Sequence, residues 1–235
     1  VKSYTLTTAP AIEPVTLAEA LTFMRAASGL EDALVSTLIS AAREYVENLT
    51  QRALITQTWT LTMPDWYDRN SVFPAVYASW YGALANGVTN AGAWYGNYDV
   101  TAQNGDATAL TLDRSPLISV SSVKYYPASG GAQVTLTQGT DYAVSTVATP
   151  GRITPAVNAS WPALAARPDA VQIVFVAGYG AAETAVPAML RLAVLALTNH
   201  FYDQRAIITE TRSVEAIPHT LDAILAQFRV RGQLA

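Results

Sequence analysis

Cysteine is absent from the 235 residues, which excludes disulfides, thiol nucleophiles and thiolate metal sites. Lysine is almost missing as well: Lys2 and Lys124 are the only two, and charged residues make up 14% of the chain, against about 25% in ordinary soluble domains. With a net charge of −4 the chain lacks the clustered Lys and Arg that displace counterions from nucleic acid. There are two histidines, His200 and His219, and neither has carboxylates at metal-ligand spacing. The longest strongly apolar run, Leu192 to Leu197, falls far short of the roughly 18 to 20 residues that span a bilayer, so no membrane partner is expected. The opening VKSYTLTTAP lacks the apolar centre of a signal peptide, so the expectation is a soluble product that stays where it is made. What is abundant is hydrophobic residues, 51% of the total, enough to build one large core. Few charges with ample apolar surface raise the prospect that something else covers part of the molecule.

Helical patterns stand at both ends. Thr16 and Glu19 are spaced as a capping box ahead of Leu17, Leu21 and Phe23. Leu34, Val35, Leu38, Ala42, Tyr45, Val46 and Leu49 recur at three and four, which predicts a second helix with Arg43, Glu44 and Glu47 solvated. Pro187 suits the first turn of a third helix, whose face Leu190, Val194, Leu197 and Phe201 is widened almost to the full circumference by Leu192, Ala193, Leu195 and Ala196. A helix so apolar is buried within its subunit or against a neighbour, and Leu195 and Ala196 are candidate subunit contacts. Leu221, Ile224, Leu225 and Phe228 form a last amphipathic helix, after an expected exposed loop over 205–217.

The middle is β-rich. Trp59, Leu61 and Met63 alternate with threonines up to Pro64, and Ile118 to Tyr126, Val134 to Thr137 and Tyr142 to Ser145 complete a small antiparallel sheet. Val171 to Val176 is apolar on both faces and reads as a central strand broken by Gly178 and Gly180. The fold class is α+β: N- and C-terminal helices forming a helical body, with a small antiparallel β-rich region and a long loop-like insertion between them. Residues 1–65 and 107–235 make the body, with helices over 17–26, 31–50, 186–204 and 219–230 and the β-rich middle over 107–180; residues 66–106 are the insertion.

That insertion holds 29 consecutive residues, Asn70 to Tyr98, without a charge, yet seven of the 22 aromatics: Phe73, Tyr77, Trp80, Tyr81, Trp94, Tyr95 and Tyr98. Its glycines and asparagines favour loops over helix, and long loops in compact domains are often functional. Two readings compete: the aromatics fold back as a mini-core, or they contact a subunit or partner.

No arrangement carries chemistry. His200 with Asp203 reads as a helix-end polar pair. Asp65 with Asp68, and Asp106 with Asp113, stand at turns where aspartate bonds locally. Ala177 to Gly180 lacks the Gly-Lys-Ser/Thr of a phosphate loop. The chain is expected to have no catalytic, metal or cofactor site. A different class of function, a soluble carbohydrate- or ligand-binding module, would use Trp66, Trp80 and Trp94 as a stacking platform.

An ordered series of segments resembles the head-tail connector (adaptor) family of tailed bacteriophages: PVTLAEA from Pro14, DALVSTLISAAREYVENLTQRAL from Asp32, ITQTWTLTM from Ile55, SPLISVSSVKYY from Ser115, DYAVST from Asp141, RITP from Arg152, WP at Trp161, VQIVFVAGYG from Val171 and VPAMLRLAVLALTNHFYDQR from Val186. The order of the series carries the resemblance, over most of the chain except 66–106, and Gln51 stands where the family pattern has glycine. The resemblance implies a structural virion protein, made in the host cytoplasm and assembled into the neck between head and tail, as a homo-oligomeric ring of about twelve copies. Its partners would be the portal protein and the next neck, stopper or tail-completion protein, with the capsid a further candidate and genomic DNA passing through the lumen. It also points to the C-terminal end as the portal-facing element, where Phe228, Val230 and Leu234 offer apolar anchors and Arg229 and Arg231 pair with acidic groups. Twelve copies at −4 each would carry about −48, a ring that on balance repels DNA and does not grip it.

Overall fold

The computed structural model describes residues 2–66, 109–203 and 219–230. The chain begins with β1 (Ser3–Thr8), followed by α1 (Leu17–Met24) and α2 (Asp32–Thr50). At the start of α1 the Thr16 hydroxyl accepts from the Glu19 N–H at 3.2 Å and the Glu19 carboxylate accepts from the Thr16 N–H at 2.9 Å, the reciprocal box the spacing implies. That backbone bond, with help from Arg191, holds the Glu19 carboxyl below its usual range. The contribution is therefore present above the ordinary glutamate pKa and fades as pH falls. Thr16→Ala should lower stability by about 1 kcal/mol, and the deficit should shrink in acid; urea titration at pH 7 and pH 4 checks both.

Arg25 ends α1 in the left-handed region at φ 55, and Gln51 does the same for α2 at φ 56. The position where the family pattern carries glycine thus keeps the backbone conformation that favours glycine. Val35, Ile39, Ala42 and Val46 of α2 are buried, but so are Arg43 and Glu47, against the expectation that both would be solvated. The buried face is rotated from the one read off the leucines, and Leu34 is 39% exposed.

The strands are β2 (Gln57–Met63), β3 (Leu110–Leu112), β4 (Leu117–Tyr125), β5 (Val134–Leu136), β6 (Tyr142–Ser145), β7 (Gly151–Pro155) and β8 (Val171–Ala177). They form two antiparallel sheets, ordered β1-β2-β8-β4-β5 and β3-β7-β6. β8 is central, as its composition suggests, with Phe175 opposite Trp59 and Val120 and with Ile173 opposite Leu61 and Val123. This face packs with Leu110, Leu112, Tyr142 and Ile153 of the smaller sheet into one core. The expectation of a single sheet is corrected here: β5 pairs with β4 while β6 pairs with β7, so neighbours in sequence enter different layers.

A 3-10 turn (Glu183–Ala185) leads to α3 (Ala188–Asp203), and α4 (His219–Phe228) follows. The four helices among the described residues share a second core, in which Ile39 and Val46 meet Leu190, Val194, Leu197 and Leu225. The two cores join where α2 runs into β2 and β8 runs toward α3. There the Ala53 N–H donates to Ser115 O at 2.8 Å, the Thr56 N–H to Gly180 O at 3.0 Å and the Gly178 N–H to Pro116 O at 2.9 Å.

Candidate interaction surfaces

The polar groups that could carry chemistry are engaged in holding the fold. Glu47 lies at the junction, 5% exposed, and its Oε1 accepts from the Leu54 N–H at 2.7 Å and from Gln57 Nε2 at 2.5 Å. Its Oε2 accepts from Arg43 Nη1 at 2.9 Å, while Arg43 Nε donates to Glu13 Oε2 at 2.8 Å. Burial pushes the Glu47 carboxyl up, and the Leu54 N–H, Arg43 and Gln57 pull it back. Burial also disfavours the Arg43 charge, yet the carboxylates of Glu47 and Glu13 hold its pKa above the usual value. Arg114 donates to Glu47 O at 3.3 Å and lies 4.5 Å from the centre of the Trp59 ring. The result is a strut between helices and sheets, made of residues whose i, i+4 spacing alone looks like an ordinary solvated pair.

Asp113 accepts from the Tyr4 hydroxyl at 2.9 Å and faces Lys2 at 3.5 Å, pinning β1 to β3. Burial, then the Asp113 charge, raises the Tyr4 pKa well above the usual phenol. Asp203 accepts from Asn199 at 2.8 Å, and the His200 ring lies 6.2 Å from that of Phe201, which replaces the expected His200–Asp203 pair. Among the described residues no group of three or more His, Asp or Glu could hold a metal ion, and no helix is long and apolar enough to cross a membrane. Asp68 and Asp106 lie outside the described residues.

The stacking-platform reading meets a correction at Trp66. This ring is 3% exposed, stacked on Trp161 at 4.4 Å and 11°, tilted against Tyr125 at 6.0 Å, and its Nε1 donates to Pro162 O at 2.8 Å. A ring so enclosed has no free face for a sugar. An open cleft of about 410 Å³ is lined by Pro64, Asp65 and Trp66 on one side and by the run from Trp161 to Ala166 on the other. Phe73, Tyr77, Trp80, Tyr81, Trp94, Tyr95 and Tyr98 lie outside the described residues, as does the expected loop over 205–217.

The outer surface of α3 is more informative. Leu190, Ala193, Val194 and Leu197 are buried, Leu195 and Ala196 are half-buried against the helical core, and Met189 and Leu192 are 43% and 42% exposed. The near-complete burial expected of this helix thus fails on one side within the subunit. Met189 and Leu192 are the apolar residues turned furthest outward, and sequence reasoning centred on Leu195 and Ala196 instead. A helical wheel through Leu190 and Leu197 sets Leu192 nearly opposite the buried face.

At the C-terminal end Phe228 is half-buried against the helical core, and its carbonyl accepts from Arg52 Nε at 2.6 Å. The Val230 N–H donates to Thr50 O at 3.1 Å, and Arg229 is exposed. Phe228 and Val230 are thus tied to the body, and Arg231 and Leu234 lie outside the described residues.

No family model and no curated protein sequence matches the chain. Solved structures do. A chain from the neck of an empty gene transfer agent particle, computed with C6 symmetry, aligns with 99% of this chain and 97% of its own length at a TM-score of 0.67 and 21% identity. A chain from the virion of a native gene transfer agent particle aligns with 98% of this chain and 97% of its own at 0.68 and 20%. One from the neck of the native particle, computed with C12 symmetry, covers the same shares at 0.63 and 20%. At such identities the likeness is one of fold.

Proposed function

We propose that the chain is a structural subunit of the neck of a phage-like particle, one of about twelve copies in a closed ring between the portal and the next neck or tail-completion component. The observation that carries this reading is a fold matched along 98% or 99% of the chain, both cores included, by chains that stand in gene transfer agent particles and their necks. The ordered connector-like segments of the sequence agree with it, and the described polar clusters are spent on internal struts. The ring would act mechanically, joining head to tail while the genome passes through a lumen that carries no concentrated positive charge.

Docking on the portal falls to the exposed Arg229 and the residues beyond Val230, since Phe228 and Val230 hold the body together. A chain cut after Val230 should keep its melting temperature and fail to bind portal-bearing, DNA-filled heads in a sedimentation assay. Full binding by the shortened chain would remove the residues beyond Val230 from the portal contact. Deleting the whole chain should leave filled heads and tails unjoined, with joining restored by the added protein. Normal joining without it would refute the neck role.

A further inference from the structure

The buried faces of α2 and α3 meet through Val35, Ile39 and Val46 on one side and Leu190, Val194 and Leu197 on the other. Each helix also turns a further side away from that contact, and there Leu34 of α2 and Met189 and Leu192 of α3 are exposed. Surface helices normally place charges there; here the exposed charges stand toward the ends, Glu44 one turn beyond Ala41 and Asp203 at the end of α3, and the stretches before them carry none. On α3 the outward strip is Ala188, Met189 and Leu192, with Leu195 half-buried against the helical core, and from Leu192 to Tyr202 the sequence has no Asp, Glu, Lys or Arg. Arg191 is directed to Pro14 O at 3.1 Å and Glu19 at 2.5 Å. On α2 the outward strip is Leu34, Leu38 and Ala41, one helical stripe, and Ala33 to Ala42 has no charge either. Of the polar residues between, Ser36 and Thr37 turn their hydroxyls onto the carbonyls of Asp32 and Ala33 at 2.8 and 3.0 Å, and Ser40, half-buried, donates to Ser36 O at 3.3 Å and lies 2.7 Å from Glu13 Oε1. Those hydroxyls are satisfied within the subunit, which leaves the strip apolar in effect.

Two unlike apolar strips on different helices fit one kind of assembly. A two-fold dimer needs a single self-complementary patch, whereas a ring needs two different patches so that one copy's first meets the next copy's second. Resting on the ring reading above, we propose that the α3 strip at Met189 and Leu192 of one subunit seats on the α2 strip at Leu34, Leu38 and Ala41 of the next copy. Leu and Met side chains projecting from α3 fit the shallower Leu and Ala surface of α2 in the manner of ridges entering grooves. The contact is heterologous, and its closure sets the ring.

The absence of cysteine makes the test direct. The full chain with both Leu34→Cys and Leu192→Cys, assembled into particle necks, is treated with a short bifunctional maleimide and run on a denaturing gel. The expected result is a ladder of multiples ending in one closed species, with either single variant staying monomeric. Necks that contain the doubly substituted chain but give no ladder would overturn the contact while leaving the neck role standing. A dimer from Leu192→Cys alone would overturn it in favour of a two-fold contact. An unsubstituted chain that enters no neck would defeat the ring reading, and this inference with it. As a second variant, Leu192→Glu should keep the melting temperature of the free subunit and lower incorporation at least about tenfold; unchanged incorporation would overturn the proposal.

Discussion

Arg43→Ala should destabilise the subunit by about 3–5 kcal/mol, the range for removing one partner of a buried pair. Arg43 bridges Glu13 and Glu47, and without it Glu47 keeps the Leu54 N–H and Gln57 but loses the positive charge that offsets its burial. At roughly 2–4 °C per kcal/mol for a chain of this size, the melting temperature should fall by about 6–20 °C. The pH dependence follows from the direction of the Glu47 shift. Burial already raises this carboxyl, and losing Arg43 raises it further. Whatever stability the protonated form supplies is complete below the unfolded-state pKa and is lost as pH rises through the folded-state value. The gap between variant and parent should therefore be wide at pH 7.5 and narrow toward pH 5. Arg43→Met with Glu47→Gln, which removes both charges and keeps an acceptor for the Leu54 N–H, should recover part of the loss. A double variant worse than Arg43→Ala would contradict the account of an uncompensated charge.

Gly178→Ala should be as damaging, by a different cause. Gly178 has φ 141, and a Cβ there would stand 2.6 Å from Ile55 O and 2.7 Å from Thr56 N. Those are main-chain atoms of the segment linking the two cores, so relief requires parting the chains, which also endangers the bond from the Gly178 N–H to Pro116 O. Backbone strain of about 1–3 kcal/mol comes on top of that separation. Gly139 supplies the control, because its φ of 88 is also unfavourable for a side chain but nothing lies within 4 Å. Gly139→Ala should cost about 1 kcal/mol, while Gly178→Ala costs at least about 3 kcal/mol and splits the denaturant transition as the helical and β cores lose their coupling. Equal effects of the two substitutions, with a single transition, would show that close approach at the junction is not what fixes Gly178.

What could be read from the chain alone follows from where burial is one-sided. The Thr16 box, the strand at Trp59, Leu61 and Met63, and the central Val171–Ala177 strand each leave a period in the sequence because one face meets a core. β1 leaves none: five of its six residues are exposed, so Ser3–Thr8 carries no burial pattern to detect. The pair Arg43 and Glu47 is hidden for another reason. Its burial depends on Glu13, Leu54 and Gln57, which approach from outside the helix, and local spacing holds no trace of them. The stacking of Trp66 on Trp161 joins residues far apart in sequence in the same way. Of the candidate interaction surface, the apolar excess of α3 is legible, but the side left uncovered depends on which face α2 takes, and this puts Met189 and Leu192 outermost.

The most direct measurement is an electron-microscopic reconstruction of particles assembled with this chain, compared with particles from which it is deleted. The neck role predicts a closed ring of two-cored subunits below the portal, fitted by the helical and β cores described here and missing from the deletion particles. A complete neck in the deletion particles, with no density to which these subunits fit, would contradict it.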